Sequence, residues 1–255
     1  MSGYEVPVRD AATVVLLRDG VEGIEVWLLT RVTQMVFAGG MTVFPGGRVD
    51  AADADLPMRG ADVDSLAARF GSDVPTAHAL LGAAVRETFE ETGVLLTVPA
   101  ADLSGSREDV EAGRVSFGEL LREHGLAVDG SALRPWSRWI TPAGEVRRYD
   151  TRFFVGVLPD GAAADDVTSE SSAASWVGVD AALEMGQRGE RKILPPTMMT
   201  LASLLPFETA AEALDSSASR TLEPVRPDVH IAEDGTVSVR TPDGQTFAIP
   251  RSMLP

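Results

Sequence analysis

The sequence predicts an α/β protein, on three observations. Two apolar runs, Ala11 to Leu17 and Ile24 to Thr30, flank an Asp19-Gly20 turn and read as a β-hairpin. A helical run from near Thr76 to Thr92 carries the apolar stripe Leu80, Leu81, Ala84, Val85, Thr88 and Phe89, and stops at Gly93, a natural left-handed cap. Two more strand candidates, Trp136 to Ile140 and Tyr149 to Leu158, are separated by the loop Thr141-Pro142-Ala143-Gly144.

The other elements follow from the same signals. Residues 1 to 10 read as a loose lead-in, and Met41 to Phe44 is an apolar run entering Pro45-Gly46-Gly47. A short helix is predicted over Asp62 to Phe70, before Gly71, and a strand over Val94 to Val98. Helices follow at Arg107 to Ala112 and Phe117 to His124, the second capped by Ser116 with Glu119 at its third position. Asp160 to Ser175 is polar and rich in Ala and Ser, which reads as a mobile loop. Ser175 to Val179 leads to a helix with Asp180 as its cap, a further helix ends near Leu205, and Glu208 to Leu214 forms one more. Past it, Asp234-Gly235 and Asp243-Gly244 turns separate short alternating runs, the pattern of a small β element. No internal repeat interrupts this order.

Bulk composition narrows the function. With 44% hydrophobic and 24% charged residues in 255, the chain can bury a sizeable core. No apolar run is long enough to span a bilayer, and the N-terminus lacks a basic-then-apolar leader. The absence of cysteine excludes disulfides, thiolate zinc sites and cysteine nucleophiles. The final Ser-Met-Leu-Pro is not a Ser-Lys-Leu-type peroxisomal address, so a cytoplasmic location is expected. A net charge of −16 argues against a nucleic-acid partner, and it would also repel a polyphosphate. An acidic protein that works on phosphates therefore needs cations at its site.

Arg86-Glu87-Thr88-Phe89-Glu90-Glu91-Thr92-Gly93 is the chemically dense stretch. Glu87, Glu90 and Glu91 project from one helix face, and Arg86 lies one turn before Glu90, close enough to pair with it. Alone, such a face reads as solvated surface. Carboxylates crowded in this way also suit a hard divalent cation, which takes oxygen ligands. His78, His124 and His230 are scattered without ligand spacing, and Trp136, Trp139 and Trp176 read as core rather than base-stacking residues. No G-x-S-x-G elbow supports a serine hydrolase.

Upstream stands Phe44-Pro45-Gly46-Gly47-Arg48-Val49-Asp50-Ala51-Ala52-Asp53. Together the two stretches resemble the Nudix box, G-x5-E-x7-R-E-U-x-E-E-x-G-U, with U a bulky aliphatic residue. Gly47 matches its first glycine, and Arg86, Glu87, Glu90, Glu91, Gly93 and Val94 match its second half. Three departures stand out: Asp53 replaces a glutamate, Thr88 occupies a U position, and 32 residues, Ala54 to Val85, replace seven. An interrupted box with this upstream segment resembles the peroxisomal coenzyme A diphosphatase-like branch. Trp139 to Pro142 and Arg148 to Phe154 are similar to the same branch. Of an accessory coenzyme A pattern, Gly40 to Gly47 and Arg31 match, whereas Val36 stands where a second arginine is expected.

The resemblance implies a Nudix fold, an α/β/α sandwich with a mixed central sheet. Residues 1–205 would form it, with the insertion at about 54–75, and 206–255 would be a C-terminal extension. The insertion emerges beside the box helix and is expected to form a lid or shape the pocket. The implied activity is hydrolysis of a diphosphate linked to another moiety, dependent on Mg2+ or Mn2+. Coenzyme A or an acyl derivative is the leading substrate. ADP-ribose, dinucleotides or nucleoside triphosphates are the alternatives, and a non-catalytic binding protein is the rival of a different class. The metal would be held by Glu87, Glu90, Glu91 and the Gly47 carbonyl, with Arg86 orienting a glutamate. Glu90 and Glu91 carry catalysis, with Glu170 as another candidate base. Arg31, Arg152 and Gly46 are candidate substrate ligands, and Asp53 either supports the loop–helix junction or has been moved out of reach by the insertion. The expected partner is a nucleoside-diphosphate-linked small molecule, with no nucleic acid or membrane, and a homodimer is compatible.

Overall fold

The computed structural model describes residues 6–33, 38–143, 145–165, 171–231, 237–240 and 246–249. Glu170, Val36 and the two tail turns fall outside them. In chain order the elements begin with β1 (Val8–Gly20), β2 (Gly23–Arg31), β3 (Thr42–Val43), β4 (Gly46–Arg48) and β5 (Met58–Arg59). Next come α1 (Val63–Phe70), α2 (Val74–Thr92), β6 (Thr97–Val98), α3 (Arg107–Glu111), α4 (Phe117–Glu123) and β7 (Ala127–Asp129). They continue through β8 (Leu133–Ile140), β9 (Arg148–Val157), β10 (Ser171–Gly178), α5 (Val179–Gln187), α6 (Pro195–Ala202) and α7 (Ala210–Ser216). Three short strands close the chain, β11 (Asp228–Ile231), β12 (Val237–Arg240) and β13 (Thr246–Ile249), paired antiparallel.

The main sheet runs β10-β2-β1-β9-β8, with β3 on β2 and β4 on β1. Only β1 and β9 pair in parallel within it, so the sheet is mixed. Alternation along β1 sorts two cores. Ala12, Val14 and Leu16 pack with α1, α2 and α4 on one face. Val15 and Leu17 pack with α5, α6 and α7 on the other. That is the expected α/β/α sandwich. Trp136 and Trp139 are buried in the second core, whereas Trp176 meets Trp27 edge-on with Arg18 over its ring.

Several boundaries move for identifiable reasons. α2 starts at Val74 rather than near Thr76, because Asp73 accepts from Thr76 N at 2.7 Å and Pro75 fits the first turn. The strand expected over Val94 to Val98 is reduced to Thr97–Val98. β10 extends back to Ser171, into the stretch read as loop, because it pairs with the whole of β2 from Arg31 to Glu25. It runs straight into α5, so Gly178 takes the cap position and Asp180 lies in the first turn instead. The insertion is no loose flap. Leu66, Ala67 and Phe70 of α1 are buried in the first core, and β5 pairs with β7. No helix among the described residues is long and apolar enough to cross a membrane.

Candidate active site

Two glycines bring the turn before β4 onto the box helix. β4 pairs with β1 so that Gly46 lies opposite Thr13 and Gly47 opposite Ala12. A Cβ on Gly46 would come 2.7 Å from Thr13 Cα, and one on Gly47 would come 2.5 Å from Glu87 Cδ. Gly46, at φ +155° against the β1 backbone, admits only glycine, whereas Gly47 meets the movable end of Glu87. Glu91 is nine-tenths buried and accepts from Gly46 N at 2.7 Å. Gly46, expected at the substrate, thus has its amide committed to a box carboxylate.

Arg86 is the hub of the remaining acids. Its Nε and Nη2 donate to the two oxygens of Asp53 at 2.8 and 2.9 Å, and Nη2 also reaches Arg48 O at 3.0 Å. Nη1 donates to Glu87 at 2.8 Å and to Glu90 at 3.2 Å. Asp53 is 1% exposed and accepts in addition from Asp50 N at 2.8 Å. It therefore stays at the site despite the insertion, tying the β4–loop segment to α2. The tie depends on Gly82, inside α2. A Cβ on Gly82 would meet Asp53 O at 2.6 Å, so Gly82 lets the 51–55 turn sit directly on α2. A glycine inside a helix is costly next to alanine, and that cost was the available signal of close packing.

The electrostatics are lopsided. Burial pushes the Glu90 carboxyl up, to about 7, because Arg86 only partly offsets the desolvation and Glu87 adds repulsion. Burial acts to lower the Arg86 pKa, yet the Asp53 hydrogen bond and the charges of Glu87, Asp53 and Glu90 raise it overall. One guanidinium thus faces Asp53, Glu87 and Glu90, with Glu91 beside them.

Among the described residues no three acids converge in a ready-made coordination shell. Glu87 and Glu90 lie on Arg86, and Glu91 on Gly46. The donor set nevertheless suits a hard divalent cation: it is all oxygen, carries excess negative charge, and adjoins a backbone that side chains do not screen.

The two candidate arginines have different surroundings. Arg31 ends β2, where its backbone pairs with Met41 O and Gly40 N. Arg152, expected at a substrate phosphate, is 3% exposed and bonded to Asp10 and to Asp150 O at 2.9 Å. Arg138 completes that cluster, gripping Asp150 at 2.9 and 2.7 Å and Phe70 O at 2.7 Å. Arg152 thus braces the sheet, because burial between two carboxylates commits its charge. His78 is half-buried on α2, and His124 is exposed at the end of α4.

A family model described as the NUDT19 Nudix domain matches residues 56–204. Acyl-coenzyme A diphosphatase NUDT19 of Xenopus laevis is 28% identical over 261 residues, covering 84% of this chain and 69% of its own. Putative nudix hydrolase 7 of Caenorhabditis elegans is 30% identical over 199 residues, covering 77% of this chain and 60% of its own. A crystal structure of a NUDIX hydrolase from Alicyclobacillus acidocaldarius superposes with a TM-score of 0.69 at 30% identity, covering 82% of this chain and 96% of that one. The chain thus spans 60% to 69% of the length of the two named relatives.

Proposed function

Because the chain belongs to the NUDT19 Nudix domain family of Nudix hydrolases, we propose that it hydrolyses coenzyme A or acyl-coenzyme A at the diphosphate. The products would be 3′,5′-ADP and 4′-phosphopantetheine or its acyl derivative. The observation that carries this reading is the lopsided carboxylate cluster around Arg86, in a chain whose similar relatives include a named acyl-coenzyme A diphosphatase.

Nudix hydrolases use divalent metal ions. In our reading Mg2+ or Mn2+ is held by Glu87, Glu90, Glu91 and the Gly47 carbonyl. When bound, such an ion neutralises the diphosphate oxygens and lowers the pKa of a water. The protein supplies the rest. Asp53 fixes the Arg86 guanidinium, which keeps Glu87 and Glu90 at hand and limits their mutual repulsion. Glu91, hydrogen-bonded to Gly46 N, keeps the glycine turn against the helix. Glu90 is our proton acceptor, as a box carboxylate that Arg86 holds at the site. Glu170 is the alternative, and Glu170→Gln separates the two: an unchanged pH–rate profile keeps the role with Glu90.

The test is a panel of coenzyme A, acyl-coenzyme A, ADP-ribose, a dinucleotide and a nucleoside triphosphate, each with Mg2+ or Mn2+. Released products are identified by mass. The proposal expects 3′,5′-ADP from the first two at the highest kcat/KM. Faster turnover of ADP-ribose or a triphosphate would reassign the substrate, and inert behaviour across the panel would favour a binding protein.

A further inference from the structure

A hollow of about 280 Å3 lies between α1 of the insertion, the turn after β7 and the start of β8. Leu66, Leu81 and Leu133 are buried at its lining, and the half-buried Arg69 and Arg134 stand beside them with the exposed Asp62. It is separate from the carboxylate centre. Leu81 and Glu90 are nine residues apart on α2, about two and a half turns, so they project from opposite sides of the helix.

The walls are held in place. β5 pairs with β7, and Gly130 N donates to Arg59 O at 2.8 Å. The left-handed Gly60 lets its loop close in, where a Cβ would stand 3.3 Å from Asp129 Oδ1. Arg138 Nη1 fixes the end of α1 through Phe70 O at 2.7 Å.

The two arginines retain unused donors. Arg69 uses Nη2 alone, to Ser217 O at 2.8 Å and Arg220 O at 3.2 Å. Arg134 uses Nη1 alone, to the carbonyls of Ser131 and, at 3.3 Å, Leu133. Among the described residues neither meets a carboxylate, unlike Arg86, Arg138 and Arg152. Asp62 directs an oxygen to Ser65 N at 3.0 Å to cap α1. Two guanidinium groups line the hollow with one carboxylate, Asp62, while the Asp129 carboxylate behind Gly60 is engaged by Ser131 N and Oγ.

We propose that this hollow is a second, non-catalytic site for a small organic anion, whose phosphate or carboxylate head meets Arg69 and Arg134 while its carbon body lies on the leucine floor. Free guanidinium N–H groups give charge-assisted, planar recognition of either head. The leucines supply the area that an inorganic ion cannot use. The site belongs to the insertion and is independent of which diphosphate the enzyme cleaves.

Calorimetric titration with phenyl phosphate, hexanoate and inorganic phosphate tests this. A chelator is present, so that the acid-rich carboxylate centre holds no metal ion and repels all three anions. Saturable binding of phenyl phosphate or hexanoate is expected, with a dissociation constant on the order of 0.1–1 mM, and which binds tighter identifies the preferred head. Inorganic phosphate should bind at least about tenfold more weakly for want of apolar contact. Arg134→Gln should weaken the organic anions about tenfold or more, leaving diphosphate hydrolysis unchanged. Arg69→Gln also removes the bonds to Ser217 and Arg220, so Arg134 is the cleaner position. If Arg134→Gln does not fold, competition on the unaltered protein decides: mutual exclusion of phenyl phosphate and hexanoate supports one shared site, and independent binding overturns it. Absence of saturable binding, or binding indifferent to Arg134→Gln, also overturns the proposal. Equal affinity for inorganic phosphate overturns the part given to the leucines.

Discussion

Two arginine–carboxylate clusters, built from the same groups, behave differently in this protein. Around Arg138 and Arg152, two guanidinium groups meet two carboxylates, Asp10 and Asp150. Around Arg86, one guanidinium meets three, Asp53, Glu87 and Glu90, with Glu91 alongside. The first is balanced and ties β1, β8, β9 and the end of α1 into one unit. The second carries surplus negative charge, and burial shows the strain by lifting the Glu90 pKa towards 7. Charge balance, more than burial or hydrogen bonding, separates a brace from a site that needs a cation.

The comparison breaks most visibly under substitution. Glu90→Gln or Glu91→Gln should lower kcat by about 10^3-fold or more, as expected where an ion neutralises transition-state charge, with a circular-dichroism melt close to that of the parent. A modest loss would place the metal elsewhere. Arg152→Gln should do the reverse: unfolding titration shows a loss of about 1–3 kcal/mol, because the bonds to Asp10 and to Asp150 O are lost while Arg138 still holds Asp150, and kcat per folded molecule stays within a few-fold.

Smaller effects sharpen the contrast. Asp53→Asn should reduce kcat by about 10–100-fold, as for an outer partner of a metal ligand, with KM for substrate nearly unchanged. Gly82→Ala should destabilise the protein by about 1–3 kcal/mol through overpacking against the 51–55 turn, read as a shifted urea midpoint. The last prediction concerns pH. A folded-state pKa raised above the ordinary glutamate value of 4.5 means that the native state holds the extra proton, so stability falls as pH rises from about 4.5 to about 7. Metal-free protein should lose a few degrees of Tm across that window, and Glu90→Gln should flatten the slope.

Much of this was legible in the chain. The hairpin, the α2 stripe and the later strands are legible because alternation and the 3.6-residue period are local, whereas their arrangement as a sandwich is implied by the resemblance to the Nudix box. The carboxylate flank was legible for the same reason: Glu87, Glu90 and Glu91 share a helix, so their direction follows from spacing. The place of Asp53 is not legible because 32 residues separate it from Arg86, and only the turn seated on Gly82 shows that it arrives. Arg152 was misread because its partner Asp10 is 142 residues away. The parallel register that sets Asp10 beside Asp150 is invisible in local pattern. Gly178 displaced Asp180 as a cap because strand and helix join without a loop, a tertiary outcome that overrides capping preference.

Manganese titration followed by paramagnetic resonance tests the central claim most directly. The account predicts a saturable Mn2+ site in the parent protein that Glu90→Gln and Glu91→Gln weaken by at least about tenfold, and that Arg152→Lys leaves untouched. Undiminished Mn2+ affinity in both glutamine variants would contradict it.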